Sequence, residues 1–126
     1  MTLNPANVNI TTVGNATLTA AQLLAGFITR TGPTGAFTET LDTTANILAA
    51  LGNSPTPFVT RYVNASANTA TFAVGDANTT IAFGAGLLGG TTVLTHQEVE
   101  ILFTPTGNAQ NPGLTVTLLT KHLLVA

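Results

Sequence analysis

The chain has 126 residues, and only 6% of them are Asp, Glu, Lys or Arg, against roughly a quarter in an ordinary soluble domain. The length suits one domain with its own core. A net charge of −2 gives no electrostatic grip on nucleic acid, and the absence of Cys excludes disulfides and thiolate metal sites. No apolar run reaches the ~20 residues of a membrane span, although mean hydropathy is +0.40. The charged residues are Arg30, Glu39, Asp42, Arg61, Asp76, Glu98, Glu100 and Lys121, and Thr, Asn, Ala and Gly take the place of the missing charge. So little charge leaves little colloidal repulsion, and much of the surface is expected to face other protein.

Residues 1–17 read as an extended N-terminal arm, polar and Asn/Thr-rich with only isolated Val8, Ile10 and Val13. The opening Met-Thr-Leu-Asn-Pro has no basic or continuous apolar segment of a signal peptide, so cytosolic synthesis is expected. Residues 18–126 then form a single domain. Thr19 to Gly26 is a short helical turn: Thr19 caps it, Ala20-Ala21-Gln22-Leu23-Leu24 favours helix, and Gly26 stops it. Phe27 to Thr31 is a strand ended by the Gly32-Pro33 turn, and Ala36 to Leu41 is a short extended piece. Thr44 to Leu51 is the clearest helix, capped by Asp42 or Thr43, with Ile47, Leu48 and Leu51 as its apolar stripe and Gly52 at its end.

After Ser54-Pro55-Thr56-Pro57 the pattern is β. Strands are expected at Phe58–Asn64, Thr69–Val74, Thr79–Phe83, Thr91–Leu94, His96–Thr104 and Leu114–Leu119. Turns fall at Gly75–Asn78, in the Gly-rich segment 84–90 and at Gly107–Gly113. The tail from Lys121 to Ala126 is apolar enough to dock. Short strands at regular spacing with Gly, Asn and Pro turns predict a mainly β fold: an antiparallel β-sandwich or jelly-roll-like barrel with one or two short helices. No internal repeat is read in the chain.

Gly84-Ala85-Gly86-Leu87-Leu88-Gly89 matches the dinucleotide-binding string, but the β-branched Thr91-Thr92-Val93 follows where that site needs a helix. It is read as a strand connection. His96, Glu98 and Glu100 recur at period two and share one strand face. Such a trio could hold a divalent cation. The alternatives are a plain solvent or interface face opposite Val99, Ile101 and Phe103, or pairing with Arg30, Arg61 or Lys121 of a neighbouring copy. His122 is read as a structural histidine. There is no credible Ser–His–acid set or nucleophile elbow, and a chain with one Tyr and no Trp lacks the aromatic platforms of a carbohydrate cleft. The sequons at Asn9, Asn15, Asn64 and Asn78 carry no weight without a signal peptide. No catalytic, cofactor-binding or metal-ligating residue is assigned, no cofactor is expected, and the chain is read as a non-enzyme.

The block from Leu18 to Pro33, Leu-Thr-Ala-Ala-Gln-Leu-Leu-Ala-Gly-Phe-Ile-Thr-Arg-Thr-Gly-Pro, is distinctive, as is its continuation from Ala36 to Leu51. Together they resemble the capsid decoration, or cement, proteins of tailed double-stranded DNA bacteriophages. The resemblance extends over residues 18–104 and is sharp in 18–51. It departs in the longer polar N-terminal arm and in the C-terminal end. It implies a homotrimer of β-barrel or jelly-roll subunits on the outer surface of the virion, bound to the major capsid protein, with no nucleic-acid or membrane partner and no residue of chemical role. The alternative expectation is the β-sandwich head of a phage fibre or spike that binds a receptor or glycan.

Overall fold

The computed structural model describes residues 6–83 and 90–123. The chain begins by alternating between two sheets. Strand β1 (Ala6–Ile10) lies in the first sheet and β2 (Ala16–Leu18) in the second; helix α1 (Ala20–Ala25) leads back to β3 (Gly26–Arg30) in the first. The cycle repeats with β4 (Phe37–Leu41), α2 (Thr44–Leu51) and β5 (Phe58–Asn64), then crosses once more into β6 (Ala70–Ala73). Strands β1, β3 and β5 are therefore parallel neighbours in one sheet, and β2, β4 and β6 in the other. The C-terminal part adds β7 (Thr79–Phe83), β8 (Thr92–Val93), β9 (Gln97–Pro105) and β10 (Leu114–Leu123). The result is a six-stranded sheet ordered β1-β3-β5-β9-β10-β7 and a four-stranded sheet ordered β2-β4-β6-β8.

Among the described residues the fold is mainly β with two helices and mixed sheets. The expected antiparallel pairing is corrected: among the described residues five of the eight strand pairings are parallel. Each helix is a crossover, which parallel neighbours require and a hairpin cannot supply. The N-terminal segment is corrected too. It is no free arm, because β1 and β2 each join a sheet and β2 runs across the expected boundary at residue 18. Val8 and Ile10 are sparse, yet two inward residues suffice where β3 already offers an apolar wall; Ile10 and Leu18 are buried.

Both helices begin and end as their sequences dictate. Thr19 caps α1 in a capping box with Gln22, and Gly26 ends it with φ of 92°, a left-handed conformation that glycine adopts without steric cost. Thr43 caps α2 by accepting from the Asn46 N–H. Both helices are short, so packing must hold them: Leu23, Ile47 and Leu48 are wholly buried, and Leu51 packs on the core from its edge. The Thr60 hydroxyl donates to the Leu23 carbonyl at 2.6 Å, satisfying a helix-end acceptor from inside.

One core joins the facing sheets, with Ile28, Tyr62, Val99, Ile101, Phe103 and Val116 from the larger and Leu18, Phe37, Leu41, Phe72 and Val93 from the smaller. Phe58 and Phe103 stack at 4.5 Å across β5 and β9, and Tyr62 meets Phe72 edge-on across the sheets at 4.9 Å. β9 begins at Gln97, and β10 continues to Leu123 past an irregularity between Leu118 and Thr120. The expected tail is thus a strand as far as Leu123, and residues 124–126 lie outside the described residues, as does the string Gly84–Gly89.

The β–β–α cycle is a structural repeat that the sequence reading missed. Thr17-Leu18-Thr19-Ala20-Ala21-Gln22-Leu23-Leu24 corresponds to Thr40-Leu41-Asp42-Thr43-Thr44-Ala45-Asn46-Ile47-Leu48, with one residue inserted. The loop after α2 is longer than the direct join of α1 to β3, which hides the period.

Candidate interaction face

Side chains at strand ends, where the chain crosses between sheets, must satisfy the carbonyls of the crossing. Arg30, at the end of β3, does so from within the protein. It is wholly buried, and its guanidinium donates to the carbonyls of Thr12 (2.5 Å), Thr31 (3.1 Å) and Gly14. Its Nε donates to Glu39 Oε2 on β4 at 2.9 Å, and the Tyr62 hydroxyl donates to the same oxygen at 2.7 Å. The Phe37 ring lies 4.8 Å from the guanidinium carbon. Burial pushes the Glu39 carboxyl above its ordinary range, against the pull of Tyr62 and Arg30. Burial and the adjacent Glu39 charge also push the Tyr62 phenol up, so it stays a donor. Glu39 Oε1 has no partner. The trio has no opening to solvent and therefore no route for a substrate; it pins the sheets together.

Asn64 occupies the equivalent corner of the next cycle, in register with Arg30. Its amide donates to the carbonyls of Asn68 (2.7 Å) and Val93 (3.0 Å) and accepts from Ser66. Being fully buried, it is no glycosylation acceptor in the folded chain.

Two carboxylates serve the helix N-termini, where backbone N–H groups lack partners. Asp42 accepts from the N–H groups of Ala20 and Thr43 and from the Asn46 amide, each at 2.8 Å. Asp76, on the turn before β7, accepts from the Thr44 N–H at 2.9 Å and its hydroxyl at 2.6 Å. Lys121 donates to the carbonyls of Gly90 (2.6 Å) and Thr92 (2.7 Å), and burial lowers its pKa.

The remaining charges stand on the outer face of the six-stranded sheet. Arg61 and Glu100 are directly opposed across β5 and β9, with Val59 opposite Leu102 on one side and Val63 opposite Glu98 on the other. Arg61 bonds diagonally to Glu98 Oε1 at 2.5 Å and lies over the Phe27 ring of β3 at 4.9 Å. Glu98 is nearly covered, while Val59 is 46% exposed. Glu100 is half-buried and has no hydrogen-bond or ion-pair partner among the described residues.

The expected trio of His96, Glu98 and Glu100 does not hold together. His96 lies in the turn before β9 with φ of 58°, off the strand's alternation, and only Glu98 and Glu100 share the face. Among the described residues no group of three or more His, Cys, Asp or Glu is placed to hold a metal. Within the chain, Glu98 takes Arg61, Arg30 is enclosed, and Lys121 is engaged by carbonyls. His122 is exposed, opposite Glu98 across β9 and β10. A shallow depression of about 270 Å³ lined by Asn53, Asn108 and Gln110 contains no titratable group. Among the described residues no helix is long and apolar enough to cross a membrane.

No family model, no curated protein and no solved structure matches this chain. The site that sequence reasoning missed is the outer-face pairing of Phe27, Arg61 and Glu98. Its signal was the Phe-Val-Thr-Arg string of β5, which repeats Phe-Ile-Thr-Arg of β3.

Proposed function

We propose that the chain is a structural component of a virus particle: a homotrimeric β-sandwich that sits on the outer surface of a tailed phage head, binds the major capsid protein and stabilises the shell. The observation that carries this reading is the disposition of charge. Only eight side chains of Asp, Glu, Lys and Arg occur in 126 residues, and most are consumed inside the fold by helix ends, crossing carbonyls and each other. Apart from Arg61 and Glu100 on the outer sheet face, what is left outside is mainly Thr, Asn, Ala and apolar surface, which makes shape-fitted contacts with little desolvation of charge. The resemblance of residues 18–51 to decoration proteins supports the same reading. A closed trimer matches a local threefold of a shell, and three modest contacts per trimer hold by avidity.

The test is to add the purified protein to undecorated, expanded heads of a phage whose genome carries this gene and to sediment the mixture. Saturable binding that raises the temperature at which the heads release DNA is the expected result. Heads that bind none of it overturn the reading.

A further inference from the structure

We propose that the outer face of the six-stranded sheet, centred on Phe27, Val59, Arg61, Glu100 and Leu102, docks a different protein that brings a basic side chain to Glu100, and that copies of this chain meet through other surfaces. The inference rests on the capsid-binding reading and names the surface and the partner chemistry of that site.

Nearly every charge of the chain already has its partner inside the fold. Arg30 neutralises Glu39 within the core. Arg61 is taken by Glu98 through both Nε and a terminal nitrogen. Asp42 and Asp76 are held by the helix N-termini, and Lys121 by backbone carbonyls. Glu100 is the one carboxylate among the described residues with no hydrogen-bond or ion-pair partner; it stands between Arg61 on β5 and Thr120 on β10, with the apolar Val59–Leu102 pair next along the same face. Any molecule that covers Val59, Leu102 and Phe27 also removes water from Glu100. A carboxylate buried without a partner is strongly unfavourable.

A second copy of this chain offers no unengaged Lys or Arg: Arg30 is enclosed, Lys121 is held by carbonyls, and Arg61, although 47% of its side chain is exposed, is already bonded to Glu98. Laid face to face, two copies would instead add carboxylates to one dry region. A protein presenting an exposed Lys or Arg beside apolar residues meets every requirement. It pairs Glu100, covers the aliphatic side chains, and leaves the Arg61–Glu98 bridge intact over Phe27. Charge complementarity of this kind sets partner choice and encounter rate.

The experiment compares wild type, Glu100→Gln and Glu100→Lys in two assays: native mass spectrometry of the free protein, and cosedimentation with undecorated heads at low and high salt. Both variants should keep the wild-type oligomer and fold with at most a small change in melting temperature, because Glu100 makes no hydrogen bond or ion pair with the described residues. Glu100→Lys should lose at least tenfold in shell affinity, and Glu100→Gln a smaller factor that shrinks further at high salt. Unchanged shell binding by Glu100→Lys overturns the assignment of this face while leaving the functional reading standing. Loss of the oligomer in Glu100→Lys also overturns it, by making the face a contact between copies. A wild type that binds no head overturns the functional reading itself.

Discussion

The tetrapeptides Phe27-Ile28-Thr29-Arg30 and Phe58-Val59-Thr60-Arg61 are nearly the same sequence on adjacent parallel strands, yet they do opposite things. The register sets Phe27 against Arg61, an offset of three residues. An odd offset turns every side chain to the other face of the sheet. Arg30 therefore points into the core and Phe27 outward, while Phe58 points inward onto Phe103 and Arg61 outward over Phe27. Each arginine finds a glutamate: Glu39 at 2.9 Å with both side chains fully enclosed, and Glu98 at 2.5 Å with 47% of the Arg61 side chain exposed. The same chemistry becomes a structural pin on one face and an addressable surface on the other.

The largest effect should come from breaking the inner pair. Arg30→Met leaves Glu39 buried without its cation and strands the carbonyls of Thr12, Gly14 and Thr31, so urea denaturation should show a loss of about 3–5 kcal/mol. Adding Glu39→Leu to Arg30→Met should recover part of it, because no unpaired charge remains. A single-variant loss under ~1 kcal/mol, the scale of an exposed pair, breaks the comparison. Leu48→Ala supplies the uncharged reference: wholly buried on α2, it should cost about 2–5 kcal/mol by the same measurement.

Acid titration sharpens the comparison further. The Thr44 hydroxyl, with the N–H groups of Thr44 and Asn78, holds the Asp76 carboxyl below its ordinary value. Burial raises that of Asp42, but the Asn46 amide and the N–H groups of Ala20 and Thr43 outweigh it and lower it. Their contribution is complete above the unfolded value of about 3.9 and is lost as pH falls through the lower folded values, where the unfolded chain binds more protons. Glu39, pushed up by burial, has the opposite sign: acidification from its raised value toward the ordinary ~4.3 relieves a cost. Stability measured against pH should therefore fall below about pH 4 in wild type and fall less in Asp42→Asn/Asp76→Asn. At neutral pH, Asp76→Ala should cost about 1 kcal/mol, the scale of a lost helix cap. The outer pair should matter least to the isolated chain, with a double-mutant cycle on Arg61 and Glu98 giving a coupling of about 0–1 kcal/mol.

Local chemistry was legible in the sequence. The Thr caps, the glycine at the end of α1, the span of α2 and the strands at 58–64 and 79–83 all follow from capping and alternation. The inward face of Val99, Ile101 and Phe103 follows from the same alternation. Strand direction was not legible, because alternation reads alike in parallel and antiparallel pairs. The crossover helices were visible, but without the repeat nothing tied β1 to β3 and β5. The arginines were equally opaque: which of Arg30 and Arg61 is buried depends on a register offset that neither tetrapeptide contains. Glu39 and Tyr62 belong to one network only because β4 and β5 lie in facing sheets.

The central claim is that this charge-poor chain is built to assemble. Native mass spectrometry at micromolar concentration tests it most directly. The account predicts a species of three 12.8 kDa chains that survives high salt, because apolar and Thr/Asn contacts, and not ion pairs, hold it together. A monomer under these conditions that also remains monomeric when mixed with undecorated heads contradicts the account.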